Sequence, residues 1–265
     1  MTAPKRGGVG DGIRLALGTL TILPTRPPGV VDRRSASWAM TFAPLIGLLL
    51  AVPAVVAIWL LDPASPLLVA VIVIGLLALL TRAIHLDGLA DTVDGLGSRR
   101  PPEQALALMR KGDVGPFGVV ALVLLLLVQV TALAQHVGQG QGPLAITLAL
   151  ALSRLMLPVV CTRGIPAARE DGLGHAVAGS VSAGQLLLAL AISVLVLGAA
   201  GTSMAGLTFV DATMLRGMFA AAAALLAGAA VCLWCVRRLG GITGDVIGCC
   251  VEVTFTVALV VPLVV

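Results

Sequence analysis

The run His85-Leu-Asp-Gly-Leu-Ala-Asp-Thr-Val-Asp-Gly95 sets three carboxylates, Asp87, Asp91 and Asp94, at i, i+4 and i+7. On a helix these share one face. Three like charges a turn apart repel, and beside a low-dielectric medium they hold protons unless a cation compensates them. Ligation by Asp oxygens alone suits Mg²⁺, which keeps several waters and shares its remaining positions with substrate phosphates. The substrate class implied is a phosphoanhydride. Gly88, Gly95 and Gly97 interleave with the acids and let a phosphate approach the backbone. The plainer alternative is a solvated acidic turn.

A second acidic site lies in Arg237-Arg-Leu-Gly-Gly-Ile-Thr-Gly-Asp-Val-Ile-Gly-Cys-Cys-Val-Glu252. Gly240 and Gly241 make a turn, a helix begins near Thr243, and Asp245 and Glu252 project from one side of it. Glu252 is about two turns deep and demands a partner. Arg237 and Arg238 offer phosphate-pairing charge just before the helix. Gly244 and Gly248 also form a small-xxx-small packing surface, which would bring this helix against the Asp-rich one. Arg154, within an apolar run, must snorkel, pair with an acid or meet a phosphate. Weaker signals are Asp113, a metal ligand or a helix cap; residues 102–111, an interfacial amphipathic helix; His85, an interfacial hydrogen-bonding residue; and residues 172–174, a flexible turn.

The elements that must position these residues are apolar helices. Of 265 residues 58% are hydrophobic and 11% charged, and the mean hydropathy is +1.07. That is more apolar surface than one water-soluble core can bury, so lipid is the solvent. Spans of about 20 residues are expected over residues 38–61, 66–84, 117–137, 143–162, 185–200, 214–236 and 246–265. The fifth has an apolar pattern running on towards Val210, and residues 13–24 read as a re-entrant or interfacial helix. The fold class expected is an all-α polytopic membrane protein of about seven helices. It forms one domain, 1–265, with an interfacial segment 1–37 and an acidic loop 85–116.

Basic residues cluster before the first span (Lys5, Arg6, Arg14, Arg26, Arg33, Arg34) and around the second, fourth and sixth connections (Arg82, Arg99, Arg100, Arg110, Lys111; Arg163, Arg169; Arg237, Arg238). The positive-inside rule puts these, and the N-terminus, in the cytoplasm. The net charge of +4 is thereby a matter of topology, with no nucleic-acid partner. The acids follow the same geography, with only Asp62 and Asp211 on the outer side, which the rule does not require. The first residues are polar and basic, unlike a cleavable signal peptide. Cys161, Cys232, Cys235, Cys249 and Cys250 all lie in or beside apolar runs and read as small hydrophobes.

Taken in order, these residues resemble the cobalamin synthases, or adenosylcobinamide-GDP ribazoletransferases. The resemblance spans Leu20-Thr-Ile-Leu-Pro24, Phe42-Ala-Pro-Leu-Ile-Gly47, the Asp-rich run, Met109-Arg110 with Gly115 and Gly118, Ser153-Arg154, Glu170-Asp-Gly-Leu-Gly174, and Gly240-Gly-Ile-Thr-Gly-Asp245 with Gly248 and Glu252. It implies a bacterial cytoplasmic-membrane enzyme with a cytoplasmic active site. There α-ribazole or its 5′-phosphate displaces GMP from adenosylcobinamide-GDP, with Mg²⁺ as the metal. The chain departs from the family at Lys111-Gly112-Asp113, where Asp-Ser-Arg is common, and at Phe255, where many members carry Glu; no role is carried to these positions.

On this reading Asp87, Asp91, Asp94 and Asp245 hold Mg²⁺ against the diphosphate. Arg154, Arg237 or Arg238 neutralises charge on the leaving GMP, and Asp94 or Glu252 accepts the hydroxyl proton. Asp91 belongs to the catalytic set. The partners are these small molecules and membrane lipid, with homo-oligomerisation left open. Rival readings are other membrane transferases of diphosphate substrates, of the CDP-alcohol phosphotransferase or prenyltransferase type, and a cation transporter.

Overall fold

The computed structural model describes residues 6–62, 64–205 and 212–264; Lys5 and Asp211 lie outside the described residues. The chain is helical throughout them, in twelve segments. Two short helices come first, α1 (Val9–Leu20) and α2 (Arg33–Thr41), then α3 (Ala43–Leu60), α4 (Pro66–Leu80), α5 (Ile84–Gly97) and α6 (Pro102–Met109). They are followed by α7 (Pro116–Gly138), α8 (Gly142–Val160), α9 (Gly172–Val177), α10 (Ala183–Ala205), α11 (Ala212–Leu239) and α12 (Gly244–Val264).

All seven expected spans are helical, the last five as single helices. Helices α3, α7, α8, α12 and residues 216–239 of α11 are long and apolar enough to cross a bilayer, and α4 joins them as a bent pair with α5. In α10 the apolar stretch Ala183–Leu195 is shorter. The first expected span is in fact two helices, because the backbone at Phe42 leaves the helical region before Pro44 opens α3. The second breaks at Arg82 and Ala83, both left-handed with φ 54° and 53°, and α5 turns 88° from α4. The acidic segment 85–116 is therefore two helices, α5 and α6, rather than a loop.

Helix α8 is the hub, buried along most of its length and packed against α3, α10, α11 and α12. Helix α12 packs on α5, α8 and α11. The outward faces of α7 and α11 keep Leu124, Leu127, Phe219, Leu226 and Trp234 exposed, as lipid-facing surfaces should. All five cysteines are buried thiols.

The basic connections meet at one end of the bundle. There the Arg82 guanidinium donates to the Gly18 carbonyl, Arg33 to Ala178, Arg169 to Leu106 and Arg238 to Arg100, while Arg110 pairs with Asp171.

Candidate active site at the crossing of α5 and α12

Helices α5 and α12 cross at two glycines. A β-carbon at Gly88 would sit 2.7 Å from the Asp245 carbonyl oxygen, and one at Gly248 would sit 3.1 Å from the His85 Cα. Only hydrogens at these positions allow the two backbones to touch, and the crossing brings Asp245 against the acidic face of α5. Gly244 takes no part in it, since its nearest neighbour is Leu173 on α9 at 3.7 Å.

Asp91 is buried and lies within electrostatic reach of Asp87, Asp245, Asp94 and Arg169. Asp245, in the first turn of α12, accepts a hydrogen bond from the Thr243 hydroxyl at 3.1 Å, and that hydroxyl in turn accepts from the Val246 N–H. The nearest cation is the Arg169 guanidinium, 3.9 Å from the Asp245 carboxylate. Burial pulls the Arg169 pKa below its ordinary value, and Asp245 opposes that shift. A cavity of about 300 Å³ opens here, lined by Asp87, Arg169, Asp171, His175, Thr243 and Asp245 among others.

The segment carrying Arg169 is held by backbone bonds rather than by a long element. Val181 N–H donates to Cys161 and Arg163 N–H to Val181, while Ile242 N–H donates to Pro166 and Ala168 N–H to Ile242. The turn before α12 and the segment after α8 are thereby one scaffold. Gly174 of α9 closes it, its Cα against the backbone of Thr243 and Gly244. The expected flexible turn at residues 172–174 is a packed short helix.

Not every expected site residue joins this group. Asp94 is engaged by the backbone at the start of α7: its carboxylate accepts from the Gly115 N–H at 2.7 Å and the Gly118 N–H at 3.0 Å. It caps α7 from a distance, because Gly115 at the N-cap has no side chain for the task. Asp113 is exposed and neither caps α7 nor lines the cavity.

Glu252 is also elsewhere. About two turns into α12, it accepts a hydrogen bond from Gln129 at 2.9 Å, and Gln129 also donates to Thr256. Arg154 lies across a separate interior cavity of about 30 Å³, room for a water or two. Its guanidinium donates to Ser153, and its buried Nε has no partner among the described residues. The pairing of Arg154 with an acid is thus electrostatic and internal, away from the Asp87 cavity. His85, expected to be a hydrogen-bonding residue, is buried with its Nδ1 likewise without a partner among the described residues.

Arg238 donates to the Arg100 carbonyl at 2.6 Å, Arg237 is exposed, and neither lines the cavity. Arg169, which the sequence offered only as one of the basic loop residues, does line it. The Glu170-Asp-Gly-Leu-Gly174 run that follows it was the available signal.

Among the described residues no three acidic, His or Cys side chains stand close enough to share one metal ion. The four-carboxylate shell expected from Asp87, Asp91, Asp94 and Asp245 is not formed, since Asp94 is occupied by backbone amides. What remains suits Mg²⁺ in its usual form, one or two carboxylates with the other positions left to water and phosphate oxygens.

A family model described as cobalamin-5-phosphate synthase matches residues 12–263. The adenosylcobinamide-GDP ribazoletransferase of Nocardioides sp. is 40% identical over 253 residues, 94% of this chain and 96% of that one. The protein of the same name from Frankia casuarinae is 39% identical, covering 94% and 92% of the two chains, and that from Stutzerimonas stutzeri is 38% identical, covering 93% and 95%. No solved structure matches the chain.

Proposed function

This chain belongs to the cobalamin-5-phosphate synthase family, and on that premise we propose that it is a membrane ribazoletransferase of cobalamin synthesis. It joins adenosylcobinamide-GDP to α-ribazole or its 5′-phosphate and releases GMP. The observation that carries this reading is the convergence of Asp87, Asp91 and Asp245 with Arg169 at the α5/α12 crossing. Carboxylates beside a guanidinium in an open cavity suit a diphosphate accompanied by a divalent cation.

One or two of Asp87, Asp91 and Asp245 would hold Mg²⁺, which when bound would neutralise the diphosphate and polarise it towards attack. Arg169, anchored on the Leu106 carbonyl and only loosely paired with Asp245, would stabilise charge on the leaving GMP. A carboxylate of the trio takes the proton of the attacking ribose hydroxyl. The new phosphodiester forms as the phosphoanhydride bond to GMP breaks, so the bookkeeping needs no further reactant. The bacterial cytoplasmic membrane, with the basic end of the bundle facing the cytoplasm, is the location that best agrees with the positive-inside rule.

The test is turnover by the full chain, purified in detergent, given adenosylcobinamide-GDP and α-ribazole 5′-phosphate. Stoichiometric GMP and a cobalamin product are expected with Mg²⁺ and not with EDTA. Absence of GMP release with Mg²⁺ would sink the assignment, and equal release with EDTA would remove the metal from it.

A further inference from the structure

Next to the acidic cavity, and sharing Arg169 and His175 with it, lies a wider depression of about 800 Å³. Arg33, Arg163, Arg169 and His175 line it, with Glu170 as the one acid among the described lining residues. Neither Arg33 nor Arg163 makes an ion pair among the described residues. The two arrive from distant parts of the chain and are held independently. Arg33 opens α2, where the Asp32 carboxylate accepts from the Ser35 and Gly7 N–H groups, bonds that keep Asp32 below its usual pKa.

The Arg33 guanidinium donates to the Ala178 carbonyl at 2.7 Å. It lies 3.7 Å from where a side chain on Gly179 would begin, at a left-handed φ of +62°. Arg163 follows α8 on the segment pinned to Val181, and it has no side-chain hydrogen bond to a described residue. Three guanidiniums converge on a depression of nucleotide size, at the mouth of a cavity that is otherwise acidic. Guanidiniums gathered in this way, two of them without an acidic partner among the described residues, suit an anion with several oxygens.

We propose that this depression is the subsite for a phosphomonoester, the 5′-phosphate of the incoming ribazole nucleotide, with Arg33 and Arg163 as its specificity-determining residues. The inference rests on the ribazoletransferase reading and deepens it. The diphosphate belongs with the carboxylates, where a cation can bridge it. The nucleophile must set a ribose hydroxyl at the same place, and its phosphate, on the same ribose, then falls across the shared wall formed by Arg169 and His175. A ribazole without the phosphate leaves Arg33 and Arg163 unused, so these two residues distinguish the phosphorylated nucleophile from the unphosphorylated one.

Arg163→Gln is the cleaner probe, because the Arg163 side chain braces nothing, and Arg33→Gln is the second. In phosphatidylcholine nanodiscs, two quantities are compared with wild type: equilibrium binding of α-ribazole 5′-phosphate without co-substrate, and kcat/KM for that compound and for α-ribazole. Arg163→Gln should weaken binding and kcat/KM for the phosphorylated form about tenfold or more, a loss typical of one charge-assisted hydrogen bond, and change kcat/KM for α-ribazole less than twofold. Equal losses on the two nucleophiles, or none, overturn the proposal. So does altered inhibition by GMP with unchanged discrimination, which would give the subsite to the leaving group. An effect present only when anionic lipid is added would give it to a lipid headgroup and overturn it as well. Tight binding of the nucleotide without any turnover would count against the ribazoletransferase reading and leave the subsite standing.

Discussion

Two aspartates one turn apart on α5 have different occupations, and substitution separates them. Asp91 is buried within electrostatic reach of Asp87 and Asp245, which line the cavity, whereas both Asp94 oxygens serve the amides of Gly115 and Gly118. Asp91→Asn should lower turnover about 100-fold or more, the scale of a lost catalytic carboxylate, and leave the melting temperature in detergent unchanged. Asp94→Asn loses a charged acceptor of two buried amides, and its amide group cannot accept with both ends. It should cost about 2 kcal/mol of stability and lower activity only as the α5–α7 junction loosens. Equal melting losses in the two variants would erase the distinction. The acids were legible in the sequence, by type and by i, i+4, i+7 spacing, but spacing does not say which of three helical neighbours turns towards a third element. The Gly115 and Gly118 amides that claim Asp94 lie more than twenty residues away. In the same way the choice of Arg169 over Arg237 or Arg238 depends on how the segment after α8 folds back onto the Ile242 turn, a pairing with no local signature.

Between elements, the crossing of α5 and α12 depends on missing side chains. A β-carbon at Gly88 would collide with Asp245 backbone at 2.7–2.9 Å, while one at Gly248 meets His85 at 3.1–3.2 Å. Neither obstacle is the end of a flexible chain. Gly88→Ala should therefore be the more damaging, costing about 1–3 kcal/mol by overpacking and moving Asp245 out of register with Asp87. The measurement is turnover beside detergent melting for each variant, and a Gly248→Ala change that harms turnover more than Gly88→Ala would contradict this geometry. Further along α12, Arg154 and Glu252 are charges inside the bundle that answer one another. Glu252→Leu alone leaves Arg154 uncompensated and should destabilise by about 3–5 kcal/mol, whereas the double variant Glu252→Leu/Arg154→Met should recover much of that loss. Strictly additive losses would mean that the two residues are not coupled. A sequence reading sees that a deep Glu needs a partner, yet it cannot see that Gln129 on α7 supplies the hydrogen bond. Glu252 and Asp245 share one side of α12 by spacing, but two helical turns of depth put them at different cavities.

For the molecule as a whole, apolar run length was a sufficient guide to the helices, because in lipid every backbone donor and acceptor must be satisfied within its own segment. The breaks inside the runs were less visible, since Phe42 and the left-handed pair Arg82 and Ala83 carry no Gly or Pro of their own. All basic connections gather at one end of the bundle, along with the acidic cavity and the basic depression. The opposite connections, at residues 61–65 and 139–141, hold no Lys or Arg. If that basic end faces the cytoplasm, single cysteines at the two ends should report opposite accessibility. Glu103→Cys on α6 and Gln139→Cys after α7 are both at exposed positions, and the five native cysteines are buried, so background labelling by a bulky maleimide should be low. With a membrane-impermeant maleimide on intact spheroplasts, Gln139→Cys should label at once and Glu103→Cys only after permeabilisation. The reverse pattern would turn the protein over. Its active site would then open away from the compartment that holds guanine nucleotides, and the charge asymmetry of the loops would need a cause other than topology. Labelling of both positions in intact spheroplasts would mean that α7 does not separate its two ends by a bilayer, which its 23 residues, about 34 Å of helix, are long enough to do.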